Sequence, residues 1–220
     1  MNKEVTIPTS LHEITLDQYI KFVKIDEEDT DNVVYDSMEA IFGFSREVVD
    51  LMTQKSVEGL AVKINEMVNQ EYLPLYKFPI KGVYYGMIPD FTEEIVKFKE
   101  FTDASMHIDG VLNKELNPDS YKRFMAVLFR PIVKEENGLI ELEAYNGTQE
   151  HYDKMGNIPA SVFKGAESFF LTLREDLLKC SQTYIEKGEG LEIQALVKHL
   201  EQNGAGTEVQ ETLLKLVGKH

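Results

Sequence analysis

Apolar positions three and four residues apart recur along most of the chain, and most such runs open behind a capping residue. Leu16, Tyr19, Ile20 and Val23 share one helical face, and Thr15 with Gln18 three residues on has the spacing of a reciprocal N-terminal cap. Residues 33–42 repeat the period and stop at Gly43, a residue suited to a left-handed C-terminal cap. Ser45 is placed to cap a helix over 46–53, and Ser56 one over 57–70. Ahead of these, residues 5–7 read as extended and end at Pro8.

The texture changes over residues 72–89, which hold Pro74, Pro79, Pro89 and four tyrosines, Tyr72, Tyr76, Tyr84 and Tyr85. Residues 77–80 and 83–87 flank Lys81-Gly82, a pattern that predicts a small β-hairpin. Thr92 is placed to cap a helix over 93–101. Asn117-Pro118 opens another, because proline is well suited to the first helical position. That helix carries Tyr121, Phe124, Met125, Leu128 and Phe129; its nearly all-apolar stretch 124–129 marks it as central, and Pro131 should end it. Residues 139–145 alternate apolar and acidic, as an edge strand or extended arm would. Thr148 is placed to cap 149–155.

The longest element runs from Pro159 to Gly188, with Phe163, Ala166, Phe170, Leu173, Leu177, Ser181 and Tyr184 along one face. Helices over 191–202 and 208–217 close the chain. The expected fold is mainly α: an irregular helical domain with a small β-hairpin insert and one long helix in the C-terminal half. It divides into an N-terminal helical lobe (1–71), a hairpin plus central helical core (72–188) and a C-terminal helical pair (189–220), together one compact domain. Phe124, Leu128, Phe163, Phe170, Leu173 and Leu177 are the expected core.

Composition narrows the function. The 220 residues are 43% hydrophobic, which excludes global disorder, and carry a formal charge of −15. That balance argues against a face that reads nucleic-acid phosphates and against docking on an anionic membrane. No apolar run approaches the ~20 residues needed to span a bilayer, and residues 1–10 lack the apolar core of a secretory signal. The expected location is the cytosol. Cys180 is the sole cysteine, so no internal disulfide forms, and a buried inert thiol is expected.

The acid is uneven: residues 1–60 hold 13 acids against 5 bases, densest at Asp26, Glu27, Glu28, Asp29 and Asp31. This run reads as a solvated loop between helices, or as a wall that repels DNA. It lacks the glycine and the twelfth-position glutamate of a calcium-binding EF-hand loop.

No chemistry declares itself. None of the five histidines lies three or four residues from another, so helical zinc spacing is absent. His151 with Asp153 reads as an exposed histidine near a carboxylate. No nucleophile elbow, dinucleotide loop or P-loop occurs. The adjacent acids Glu93-Glu94, Glu135-Glu136 and Glu175-Asp176 diverge on a helix and are poor candidates for sharing a proton or metal. No catalytic, cofactor-binding or metal-ligating residue is predicted, and no cofactor. Four residues are singled out as structural: Arg130, Pro131, Gly147 and Pro159. Arg130 either complements a helix C-terminus or pairs, buried, with Glu141, Glu143 or Asp153. Gly147 belongs to the turn Tyr145-Asn146-Gly147-Thr148 leading into a helix.

Five segments jointly carry a resemblance: 14–24 (ITLDQYIKFVK), 85–91 (YGMIPDF), 125–132 (MAVLFRPI), 143–148 (EAYNGT) and 158–170 (IPASVFKGAESFF). In that order and spacing the chain resembles, over residues 5–185, a group of tailed-bacteriophage proteins from phages of Bacteroidetes and marine bacteria. The resemblance implies a structural-module product that acts without catalysis in virion or tail assembly. It would be a tail-assembly chaperone or a portal-to-tail component, with portal, tail or tape-measure proteins as partners. Its place would be the host cytoplasm during assembly or the virion, where a symmetric ring would be expected. The alternatives are a cargo protein ejected with the genome, an acidic inhibitor that mimics DNA, and an enzyme whose site is not legible in sequence.

Overall fold

The computed structural model describes residues 7–25, 32–88, 98–113, 118–136 and 139–186; of these, Phe98, Pro118, Gln149 and residues 177–186 are described by backbone alone. The acidic run 26–31, Thr92, Asn117, the helical pair expected in 189–220, and the side chains of Leu177 and Cys180 lie outside the described residues.

The architecture is mixed α/β, which corrects the mainly α expectation. The first four helices are α1 (Leu16–Val23), α2 (Val33–Phe42), α3 (Arg46–Asp50) and α4 (Gln54–Asn69). The hairpin strands β1 (Lys77–Ile80) and β2 (Val83–Met87) follow, then α5 (Phe98–Leu112) and α6 (Pro118–Leu128). The chain continues into β3 (Phe129–Glu136) and β4 (Leu139–Leu142), and ends its described part with α7 (Gln149–Met155) and α8 (Ala160–Glu186). The strands form one antiparallel sheet in the order β1-β2-β3-β4. The expected hairpin insert is therefore half of a sheet.

Local chemistry accounts for several element ends. Thr15 and Gln18 form the full reciprocal cap of α1. Gly43 takes the left-handed conformation that ends α2. Lys81 and Gly82 both have positive φ, 49° and 84°, which matches the tight turn between right-twisted strands. Three caps differ from expectation. Ser45 precedes α3 but makes no side-chain capping bond, and that helix ends at Asp50 rather than at 53. Helix α4 starts at Gln54, because Thr53 rather than Ser56 accepts the first-turn N–H. Thr148 stands at the N-terminus of α7 but makes no capping bond; its hydroxyl accepts instead from Arg123.

The largest departure is at the α6–β3 junction. Residues 124–129 are buried throughout, as expected, but the helix stops at Leu128 and the chain runs directly into a strand. Pro131 explains the switch. A helix through it would lose a hydrogen bond and clash with the preceding turn, and proline disfavours helical geometry at Arg130. Pro131 does not end the ordered element but sits inside β3, opposite Tyr85. Its carbonyl accepts from Glu143 N–H at 2.9 Å. The N–H it lacks would point to the same side, toward Glu143 just past the end of β4, so the proline costs the reciprocal bond only at the margin of the β3–β4 ladder.

A single hydrophobic core draws on residues from Leu11 to Phe170. Phe163 of α8 is its hub, with its ring 5.3 Å from Tyr121, 5.9 Å from Tyr19 and 6.2 Å from Phe124. Phe124 in turn stands edge-on to Phe170 at 5.4 Å. Of the expected core, Phe124, Leu128, Phe163 and Phe170 are fully buried, and Leu173 is half-buried. Backbone bonds from Leu16, Asp17 and Ala160 tie the start of α1 to the segment before α8.

Gly165 marks a close pass. A Cβ there would sit 2.4 Å from the Leu73 carbonyl oxygen and 2.9 Å from Pro74 Cα. Backbone, unlike a side-chain tip, cannot step aside. Gly165→Ala is expected to destabilise by ~2 kcal/mol, about 4–8 °C of melting temperature. Gly59, in the interior of α4 with open space around it, should behave oppositely, gaining roughly 0.5–1 kcal/mol as alanine. Thermal melts of the two variants check both signs.

Candidate functional site

The polar chemistry inside the protein gathers where α5, β2, β3 and α7 meet. Arg130, on β3 opposite Gly86, is 8% exposed, and its guanidinium lies 3.2 Å from the carboxylate of Glu100, itself 2% exposed. The ring of Tyr145 lies 5.8 Å from that guanidinium. The Tyr145 hydroxyl donates to Asp103 at 2.6 Å, and Lys99 reaches the same carboxylate at 2.8 Å. Burial first, and then the bond to Asp103, hold the Tyr145 phenol far above its ordinary range. A buried pair for Arg130 was one of the two sequence readings, but its partner is Glu100, not Glu141, Glu143 or Asp153. The helix-dipole reading is overturned, because Arg130 is in a strand.

The other singled-out residues take separate places. Pro131 follows Arg130 in β3. Gly147 has a φ of 98° in the turn before α7, a conformation glycine tolerates best. Pro159 bridges Thr15 at the start of α1, away from this cluster in the pairing scheme.

His151 corrects another expectation. It is buried, not exposed. Its ring stands edge-on to Tyr85 at 5.8 Å, and its Nε2 lies 3.0 Å from Glu143 Oε2. With Glu150 these residues make a trio whose polar atoms lie within 4.8 Å of one another. Among the described residues this is the one set of side chains whose chemistry and spacing could hold a metal ion. Asp153, the expected neighbour of His151, is exposed and outside the trio.

Elsewhere, Arg174 of α8 pairs with Asp109 of α5 at 2.7 Å, both largely buried. Ser161 Oγ lies 2.7 Å from His12 Nδ1, but the serine is 2% exposed, which closes it to a substrate. His107 of α5 is half-buried. Its imidazole is pushed down to about 4, by burial first and by Arg123 and Lys99, while Asp103 pulls the other way.

Sequence reading missed Glu100 and Asp103 as pairing residues because the helix expected over 93–101 in fact runs on to Leu112. The i,i+4 spacing of Lys99 and Asp103 was the available signal. The trio had none, since Glu143 comes from the far side of a turn. No family model, curated protein or solved structure matches this chain.

Two predictions follow from this geometry. Arg130→Met should cost about 3–5 kcal/mol by leaving a carboxylate buried without its cation. The double variant Arg130→Met/Glu100→Met should recover most of that loss, and urea denaturation of the cycle measures the coupling. For His107, the unfolded ring titrates near 6.5 and the folded ring near 4. Between those values the unfolded chain binds the extra proton, so stability is fully present above pH 6.5 and falls as pH drops toward 4. Melting temperatures from pH 7 to 4.5 should fall less steeply in His107→Gln; an unchanged slope would assign the effect to other groups.

Proposed function

We propose that this is a non-enzymatic bacteriophage protein that acts in virion or tail assembly through protein–protein contacts. Portal, tail or tape-measure proteins are its partners, and the host cytoplasm is where it works. The family resemblance of residues 5–185 motivates the reading, and one structural observation carries it. The outer part of the β3–β4 hairpin is exposed on both faces, with Val133, Leu139 and Ile140 at 58%, 78% and 43% exposure. A two-stranded ribbon without apolar cover is marginal in water.

The two sheet edges also differ. Edge strand β1 contains Pro79, which blunts it against pairing. Edge strand β4, Leu-Ile-Glu-Leu, has no such guard. It offers open backbone groups to an added strand. Helices α3 and α4 contribute exposed Val48 and Val62, and Leu51 is exposed just past the end of α3, so helical contacts remain part of the proposal. No helix among the described residues is long and apolar enough to cross a membrane. The inhibitor alternative draws less support, because many described carboxylates face cations: Asp17–Lys122, Glu135–Lys77, Glu167–Lys164.

Leu139→Glu with Ile140→Lys should leave stability within about 0.5 kcal/mol yet remove the protein from purified particles or assembly intermediates, as read by mass spectrometry. Association that survives these changes would rule out the arm. Absence of the wild-type protein from both particles and intermediates would refute the assembly role.

A further inference from the structure

Glu143, Glu150 and His151 meet where β4 hands over to α7. Glu143 is the first residue after β4, and its N–H is fixed to the Pro131 carbonyl at 2.9 Å. Glu150 and His151 occupy the first turn of α7. One ring nitrogen and one oxygen from each carboxylate lie within 4.8 Å of one another. Three acids or histidines this close are common on protein surfaces, and proximity alone would mean little.

The burial of His151 is what distinguishes this trio. Its side chain is 7% exposed, and its Nε2 points at Glu143 Oε2 from 3.0 Å. Yet Glu143 Oε2, also buried, accepts no hydrogen bond, and His151 Nδ1 is buried without a partner. Leaving such groups unsatisfied is costly, and because Nε2 is the ring nitrogen beside Glu143, the glutamate oxygen is the atom of the two that calls for a ligand within the trio. Nor does a lysine or arginine among the described residues pair with either glutamate. Two carboxylates and an imidazole thus converge with no described lysine or arginine paired to them.

We propose that Glu143, Glu150 and His151 bind a divalent transition-metal cation, with Zn²⁺ the best-suited probe. Zinc bonds to nitrogen and oxygen of ~2.0–2.2 Å place neighbouring ligand atoms roughly 3.3 Å apart. The nitrogen and oxygen of His151 and Glu143 already stand near that spacing. Glu150 is exposed, so its side chain has room to close the remaining distance. The imidazole favours a transition metal over Ca²⁺ or Mg²⁺, which prefer all-oxygen shells. A water would complete the set. The cation clamps the base of the β3–β4 arm to α7, and so sets the direction in which the arm leaves the core. The site stands apart from the assembly reading: neither requires the other.

The test uses the full chain, stripped with chelator and titrated with ZnCl₂ against a chromophoric competitor. The expected result is one equivalent of zinc, a melting temperature that rises with free zinc, and an X-ray absorption spectrum showing one imidazole among oxygen ligands. Glu150→Gln and Glu143→Gln should each weaken binding at least about tenfold, while a His199→Gln/His220→Gln variant binds as the wild type does. His151→Asn should abolish the imidazole signature; should that buried change unfold the chain, Glu150→Gln on the surface still carries the test. Failure of the wild-type chain to take up zinc would overturn the proposal. So would zinc binding unaffected by both glutamate substitutions, which would locate the metal elsewhere.

Discussion

Six consecutive apolar residues, Phe124 to Phe129, lie at zero exposure across a change from helix to strand, and Arg130 follows them into the interior. Burying that stretch is a large hydrophobic gain, and it imposes conditions on everything around it. The helical half needs aromatic partners on α8, and Phe163 and Phe170 supply them. Where the stretch enters the strand at Phe129 it needs a hydrogen-bonding neighbour, and β2 supplies it opposite Met87, while β4 pairs with β3 only from Ile132 onward. Ile88 N–H, which bonds the Leu128 carbonyl at 2.8 Å, satisfies the junction itself.

Arg130 is the cost of this arrangement. A guanidinium at the inner end of an apolar run must meet a carboxylate, and Glu100 of α5 is held in place to receive it. Helix α5 thereby becomes the polar counterweight of the interior. Its Glu100, Asp103 and Asp109 face Arg130, Tyr145 and Arg174, which belong to β3, the segment after β4, and α8. Such buried pairs add little net stability against apolar replacements, but breaking one is expensive. They discriminate between packings more than they strengthen the one that forms.

The same constraint shapes the surface. Once β3 is anchored at its buried start, its far half and β4 continue as an arm whose Val133, Leu139 and Ile140 stay exposed beside the described residues. The base of that arm is where Glu143, Glu150 and His151 converge. Apolar side chains on an open strand and two carboxylates at its root that no described lysine or arginine pairs with are the features on which the assembly and metal proposals rest. They are intelligible as contacts to something else.

Much of the local structure was legible. The cap at Thr15, the stop at Gly43, the Lys81-Gly82 turn, the burial of residues 124–129 and the start of α8 all follow from short-range chemistry written in neighbouring residues. Of the sheet, the β1–β2 hairpin was legible and 139–145 read as an edge strand or arm, but β3 and the pairing that joins the four strands were not. A short apolar run looks alike as buried helix and buried strand, and residues 129–136 become a strand only because β2 and β4 lie alongside. The partner of Arg130 lies 30 positions away, and the burial of His151 depends on Tyr85 covering its ring. The sequence alone determined where elements begin and turn, which residues seek the interior, and that the protein is acidic. The tertiary structure decided which run is a strand, which charge meets Arg130, and that two glutamates and a histidine share one place. Those are long-range pairings, and no local pattern encodes a partner that only folding brings near.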